Sequence, residues 1–231
     1  MIATGAADQQ LPGVRPSLAG GVVELYFHLL PLAIANLAWG CCLVVVLGLA
    51  VFVSPFSLLM MPLLAVPGAG LQRLADLAAC GGWVDLEEFT SAVRALAVPA
   101  IATAFGTCVA GVVLFSDMAF GIHAGGAAGW TMAALAGWGL AAVAGWSLVF
   151  WPLLADPRRA SVSVRARARL AARVALARPG RTLGLAGALV LVATIATVLF
   201  AAIVSVGAAY VAVSAARFAL PLADRLEAPA G

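Results

Sequence analysis

The chain reads as an all-α, polytopic transmembrane helical bundle of about five spans, with four or six as the alternatives, and short amphipathic cytoplasmic helices between them. Two observations predict this. Of 231 residues, 64% are hydrophobic and 10% charged, with a mean hydropathy of +1.09, whereas a soluble domain is roughly half apolar and about a quarter charged. The apolar residues also fall into long uninterrupted runs divided by Gly, Pro and charged residues, the pattern of helices cut to bilayer thickness. A soluble enzyme is excluded.

Residues 1–21 are rich in Gly, Ala, Pro and Gln and show no period, so a disordered lead-in is expected before a single transmembrane domain over 22–222 and a tail over 223–231. From 29 to 53 no charge occurs, a length sufficient for a first span retained as a membrane anchor. Ser54 and Pro55 break it. A second run, 56–79, contains Pro62 and Pro67 and reads as a kinked span.

Between 80 and 97 the pattern changes. Asp85 stands before Glu87 and Glu88, with Leu86, Phe89 and Val93 on one helical face, which predicts a short amphipathic helix capped by Asp85. The face is a candidate contact for lipid or a partner, together with Trp83. Pro99 suits the first turn of a third span, 96–116. A fourth follows at 130–154, where Trp130 and Trp151 stand about 30 Å apart along a helix and are expected at opposite interfaces. Gly137, Ala141 and Gly145 form a small-residue stripe on it, open to close helix packing or to chance in so Gly-rich and Ala-rich a chain. A fifth span covers 183–204, and residues 205–222, with Arg217 and Pro221, are ambiguous between an interfacial segment and a short return.

Charge is segregated. There is no Lys, and eight of thirteen Arg lie between 155 and 182, which by the positive-inside tendency places that loop, the 80–97 loop and the N-terminus in the cytoplasm of a bacterial plasma-membrane protein. On a helical wheel Arg158, Arg165, Arg169 and Arg173 share one arc opposite Val164, Ala168, Ala171 and Ala175, with Arg167 interrupting the apolar side. Two readings stand: a helix lying on anionic head groups, or a determinant of topology alone. The Arg loop carries no interleaved aromatics, so nucleic-acid binding is not expected.

Chemistry-bearing groups are few. Glu24 and His28 are four residues apart at the first span's entrance, and Asp117 and His123 lie at the third span's outer end; anchoring or an ion pathway are the readings for both. Asn36, the only Asn, lies inside the first span and calls for an interhelical hydrogen bond, with Trp39 beside it. The four Cys show neither a disulfide framework nor zinc spacing. No phosphate loop, nucleophile elbow, metal-binding His pair or dinucleotide fingerprint occurs, so no catalytic residue, metal or cofactor is expected.

In order along the chain stand Asn36-Leu-Ala-Trp39, Pro67-Gly-Ala-Gly-Leu71, Trp83-Val-Asp85 with Phe89 and Arg94, and the basic loop. Over roughly residues 25–205 this resembles the YesL-like family of small bacterial integral membrane proteins. The Pro-x-x-Thr-x-Gly stretch usual after the family's first helix is absent, so no role of that stretch carries over. The resemblance implies an accessory role beside a carbohydrate uptake system of the ABC type, with components of that transporter as partners. The alternatives are a permease subunit acting directly and a structural, lipid-interacting protein.

Overall fold

A computed structural model describes residues 13–199 and 206–228. Among these are eight α-helices and no strand: α1 (Val14–Phe27), α2 (Leu29–Phe52), α3 (Ala65–Ala79), α4 (Leu86–Ala124), α5 (Gly126–Ala155), α6 (Val164–Ala177), α7 (Pro179–Val198) and α8 (Ala208–Glu227). Five stretches are long and apolar enough to cross a membrane, namely Leu29–Phe52, Phe56–Ala79, Leu86–Ala124, Gly126–Ala155 and Pro179–Ala196. The chain is a multi-pass helical membrane protein. Expectations for residues 1–12, 200–205 and 229–231 lie outside the described residues.

The lead-in is corrected from Val14 onward, because α1 is helical up to its break at His28. Its sequence has no helical period of its own; packing supplies the order. Gly20 and Gly21 face α8, where a side chain would run into Arg217 or Ser214. Glu24 accepts from the Arg217 guanidinium at 2.6 Å, and the Tyr210 hydroxyl donates to the Leu18 carbonyl at 3.3 Å.

The second run is kinked as its prolines require. Pro55–Leu64 winds as a 3₁₀-helix whose first turn is closed by the Phe56 amide donating to Ser54 Oγ at 3.3 Å, and the chain then widens into the α-helical turns of α3. Asp85 caps α4, accepting from the Glu87 amide at 3.3 Å. The short loop helix and the third span are, however, one continuous helix of 39 residues with Pro99 in its interior. Pro99 cannot donate to the carbonyl four residues back; that carbonyl belongs to Ala95, which is exposed and can be solvated.

The α4/α5 hairpin turns at Gly125 and Gly126, both at positive φ. Its two arms are in tight backbone contact at Gly121 and Gly129, where a Cβ on either would lie 2.5–2.6 Å from the other's carbonyl oxygen. The fifth span begins at Pro179 rather than 183, with Pro in the first turn where its missing N–H costs nothing.

The segment expected to be ambiguous holds more buried residues than any other described helix. From Ala209 to Ala223 α8 has eleven buried residues, Phe218 and Ser214 among them, and it touches α1, α2, α3, α5, α6 and α7. The tail boundary at 223 is corrected too, because α8 continues to Glu227. Around it Phe150, Leu153 and Leu154 of α5, Val174 of α6 and Leu185 of α7 form the largest core, and Leu32, Leu71 and Leu74 form a second against its N-terminal half.

Candidate functional site

The charged residues gather where α5 ends and α8 ends. Asp156 leaves α5 and caps the turn Pro157–Arg159, accepting from the Arg158 amide at 3.0 Å. The turn puts both guanidiniums beside carboxylates from α8. Arg158 pairs with Asp156 at 3.1 Å and Asp224 at 3.3 Å. Arg159, 6% exposed in its side chain, pairs with Asp156 and Asp224 and with Glu227 at 2.7 Å. A guanidinium with five donors can hold all three acids at once, which an ammonium could not do with the same planarity.

The knot sets its own ionisation. Burial works against the Asp156 carboxylate, but hydrogen bonds from the Arg158 side chain and amide, with the charges of Arg158 and Arg159, hold its pKa below the usual carboxylate range. The bond from Asp156 chiefly raises the Arg158 pKa. Arg159 loses hydration by burial, yet the Glu227 and Asp224 carboxylates raise its pKa. Both stay cationic.

Beside the knot, Arg167 is buried, and its guanidinium donates to three backbone carbonyls: Leu154 at 2.7 Å, Val162 at 2.9 Å and Ala160 at 3.3 Å. It closes the C-terminal end of α5, whose last carbonyls have no helical partner. Arg167 interrupts the apolar arc of α6, and that interruption was the signal of a buried role: an Arg on an apolar face needs acceptors to be there.

The predicted arginine arc is divided. Arg165, Arg169 and Arg173 are exposed on α6, opposite Leu170, Ala171 and Val174, which are buried. Arg158 is not on that helix and belongs to the ion-pair knot, because Ser163 starts α6 by accepting from the Ala166 amide at 3.3 Å. Nor does α6 hang free beyond the bundle: the Trp146 indole N–H donates to the Ala168 carbonyl at 3.2 Å, laying α6 back along α5.

Leu86, Phe89 and Val93 do not form an open face. Leu86 and Phe89 pack on the core under α3, and a side chain at Gly70 would meet Phe89 at 2.6 Å and Val93 at 2.9 Å. The glycine is what admits them. Trp83 remains 87% exposed. The small-residue stripe is divided as well: Gly137 faces Met118 of α4, with a Cβ 3.9 Å from the sulfur, while Gly145 faces Thr182 of α7 at 3.4 Å, and Ala141 borders a hollow with Pro179 and Thr182.

Asn36 is buried and its Oδ1 accepts from the Ala209 amide of α8 at 2.7 Å. Trp39, one turn further, lies over Gly68. Trp151 is partly buried against the core, while Trp130 is exposed. Glu24 lies 3.9 Å from His28 and bonds Arg217, and His123 Nδ1 lies 2.8 Å from the Ala119 carbonyl. Not foreseen was the polar face of α3, where Gln72, Arg73 and Asp76 are all buried and Asp76 is within electrostatic reach of Asp156 and Arg158. Among the described residues no group of His, Cys, Asp and Glu could hold a metal ion. Comparisons with protein-family models, with curated proteins and with solved structures give no match for this chain.

Proposed function

We propose that the chain is a non-enzymatic accessory protein of the bacterial plasma membrane, N-terminus inside, which meets anionic head groups through α6 and works beside a carbohydrate uptake system of the ABC type. The observation that supports it is the exposed row of Arg165, Arg169 and Arg173 on a helix whose other face is locked into the core. Each such Arg contributes about 1 kcal/mol near an anionic surface. The inside orientation rests on the eight Arg of residues 155–182. The transporter association rests on the YesL-like resemblance, with the exposed Trp83 in its loop motif as the contact for protein.

A permease acting directly is the second reading, favoured by one observation: Arg73 Nε and Asp76 Oδ2 are buried beside Gln72 in a candidate span, without a hydrogen-bond partner. Buried ionisable groups in spans mark ion or substrate paths.

One purification separates these. The tagged chain and an Arg165→Gln/Arg169→Gln/Arg173→Gln variant are extracted in mild detergent, and bound lipids and proteins are identified. The wild type is expected to retain anionic phospholipid and transporter subunits, and the variant to lose the lipid. Equal lipid retention by both rules out the α6 contact; a chain free of transporter subunits rules out the accessory role.

A further inference from the structure

Four of the five candidate spans and α8 meet at one cavity of about 450 Å³, in the size range of small-molecule sites. Trp39 of α2, Gly68 and Gln72 of α3, Trp151 of α5, Ala193 of α7 and Ala208 of α8 line it. Among the described residues its walls are apolar but for two side-chain groups, and those two define what it can hold.

The first is the Gln72 amide. Both protons of its Nε2 are committed, to Asp76 Oδ1 at 2.8 Å and to the Ala212 carbonyl at 3.2 Å. Both partners are oxygen acceptors, so chemistry fixes which end of the amide is nitrogen. The carbonyl oxygen is the end left to the cavity. The second is the Trp39 indole. A side chain begun at Gly68 would lie 3.7 Å from its Nε1, and residues 68 and 72 share one face of α3 a single turn apart.

A donor and an acceptor lining one cavity are bridged by a group that accepts from one and donates to the other. A hydroxyl does both. An ammonium would confront the indole N–H with more donors, and a carboxylate would confront the Gln72 carbonyl with more acceptors. The apolar walls require that the rest of the ligand be apolar, and the surrounding spans make the bilayer its source.

We propose that this cavity binds a single apolar chain ending in a hydroxyl, the hydroxyl held between Gln72 Oε1 and Trp39 Nε1 and the chain lying between Trp39 and Trp151. The proposal is independent of the α6 contact.

The test is tryptophan quenching of the full chain in nanodiscs by ω-bromododecanol, with bromododecane as the probe lacking the hydroxyl. Saturable quenching by the alcohol is expected, with affinity about five-fold above bromododecane, the value of one hydrogen bond. Trp39→Phe and Trp151→Phe should each remove part of the saturable signal. Gln72→Met should erase the preference for the alcohol. Because that change also strips Asp76 of its partner, Ala208→Leu is the second variant: it fills the cavity, leaves the Gln72 bonds in place and should abolish saturable quenching. No saturable quenching in the wild type, which leaves bound water as the occupant, overturns the proposal. So does equal affinity for the two probes, or an unchanged signal in Ala208→Leu.

Discussion

Asn36 accepts the amide proton of Ala209 at 2.7 Å across 173 residues of sequence. The amide belongs to the first turn of α8, where N–H groups lack a partner within the helix. A side chain of α2 therefore serves α8 as a cap supplied from another helix, inside the core rather than at a surface.

Asn36→Leu removes that acceptor and strands the amide. The expected loss is about 1 kcal/mol, read as a lower Tm in detergent. An unchanged Tm would show that α8 holds its first turn without α2.

The two arginines of the knot should differ. Arg159, 6% exposed, is the sole ion-pair partner of Glu227 among the described residues, and Arg159→Leu leaves carboxylates facing one another at a cost of about 3 kcal/mol. Arg158 is half exposed, and Arg158→Leu should cost less than about 1 kcal/mol. Thermal melts of the two variants in one detergent compare them directly; equal losses would deny the knot its buried centre.

Acid should loosen the same end. The folded pKa of Asp156 is depressed, so its contribution is present above the unfolded value near 4 and is lost as pH falls through the folded value. Wild type should exceed Asp156→Asn in Tm from pH 7 down to about 4 and converge with it below. A gap that persists at the lowest pH would assign the effect to packing instead of charge.

At the hairpin tip, Gly121→Val should separate α4 from α5, because a Cβ there already meets the Gly129 carbonyl at 2.6 Å. Gly137→Val has only the Met118 sulfur before it, at 3.9 Å. A loss of several kcal/mol is expected for the first and little for the second. Equal melting temperatures would move the tight contact elsewhere.

Reporters fused after residues 90 and 165 should both report cytoplasm, and one near Gly125 the outside. The structure supports their alternation, since α4 and α5 run antiparallel about the Gly125 turn; the sign comes from the Arg-rich segment. An external signal at 165 would invert the arrangement.

The five apolar runs, the kink at Pro62, the cap at Asp85 and the need of Asn36 for a partner were legible because each is local: run length, a missing donor, a first-turn carboxylate, a lone amide. What covers a face is not local. Leu86, Phe89 and Val93 announce an apolar side, yet only Gly70, sixteen residues away from Leu86, shows that α3 takes it. Arg217 and Pro221 leave α8 ambiguous between an interfacial segment and a short return, while the Glu24 that pairs with Arg217 lies 193 residues earlier. For the knot, the acids Asp224 and Glu227 lie in the expected tail, 65 or more residues from Arg159, so spacing alone does not separate the paired arginines of the loop from its exposed row.

The centre of the bundle leaves the ribosome after all five candidate spans. Five spans can enter the translocon one after another, but until α8 arrives the Asn36 amide and the Gln72 side chain lack their contacts with it, and the Arg159 guanidinium lacks Asp224 and Glu227. Maturation of this protein is thus a docking event after insertion, and a stop codon before residue 208 would release inserted spans with an open seam for quality-control proteases to find.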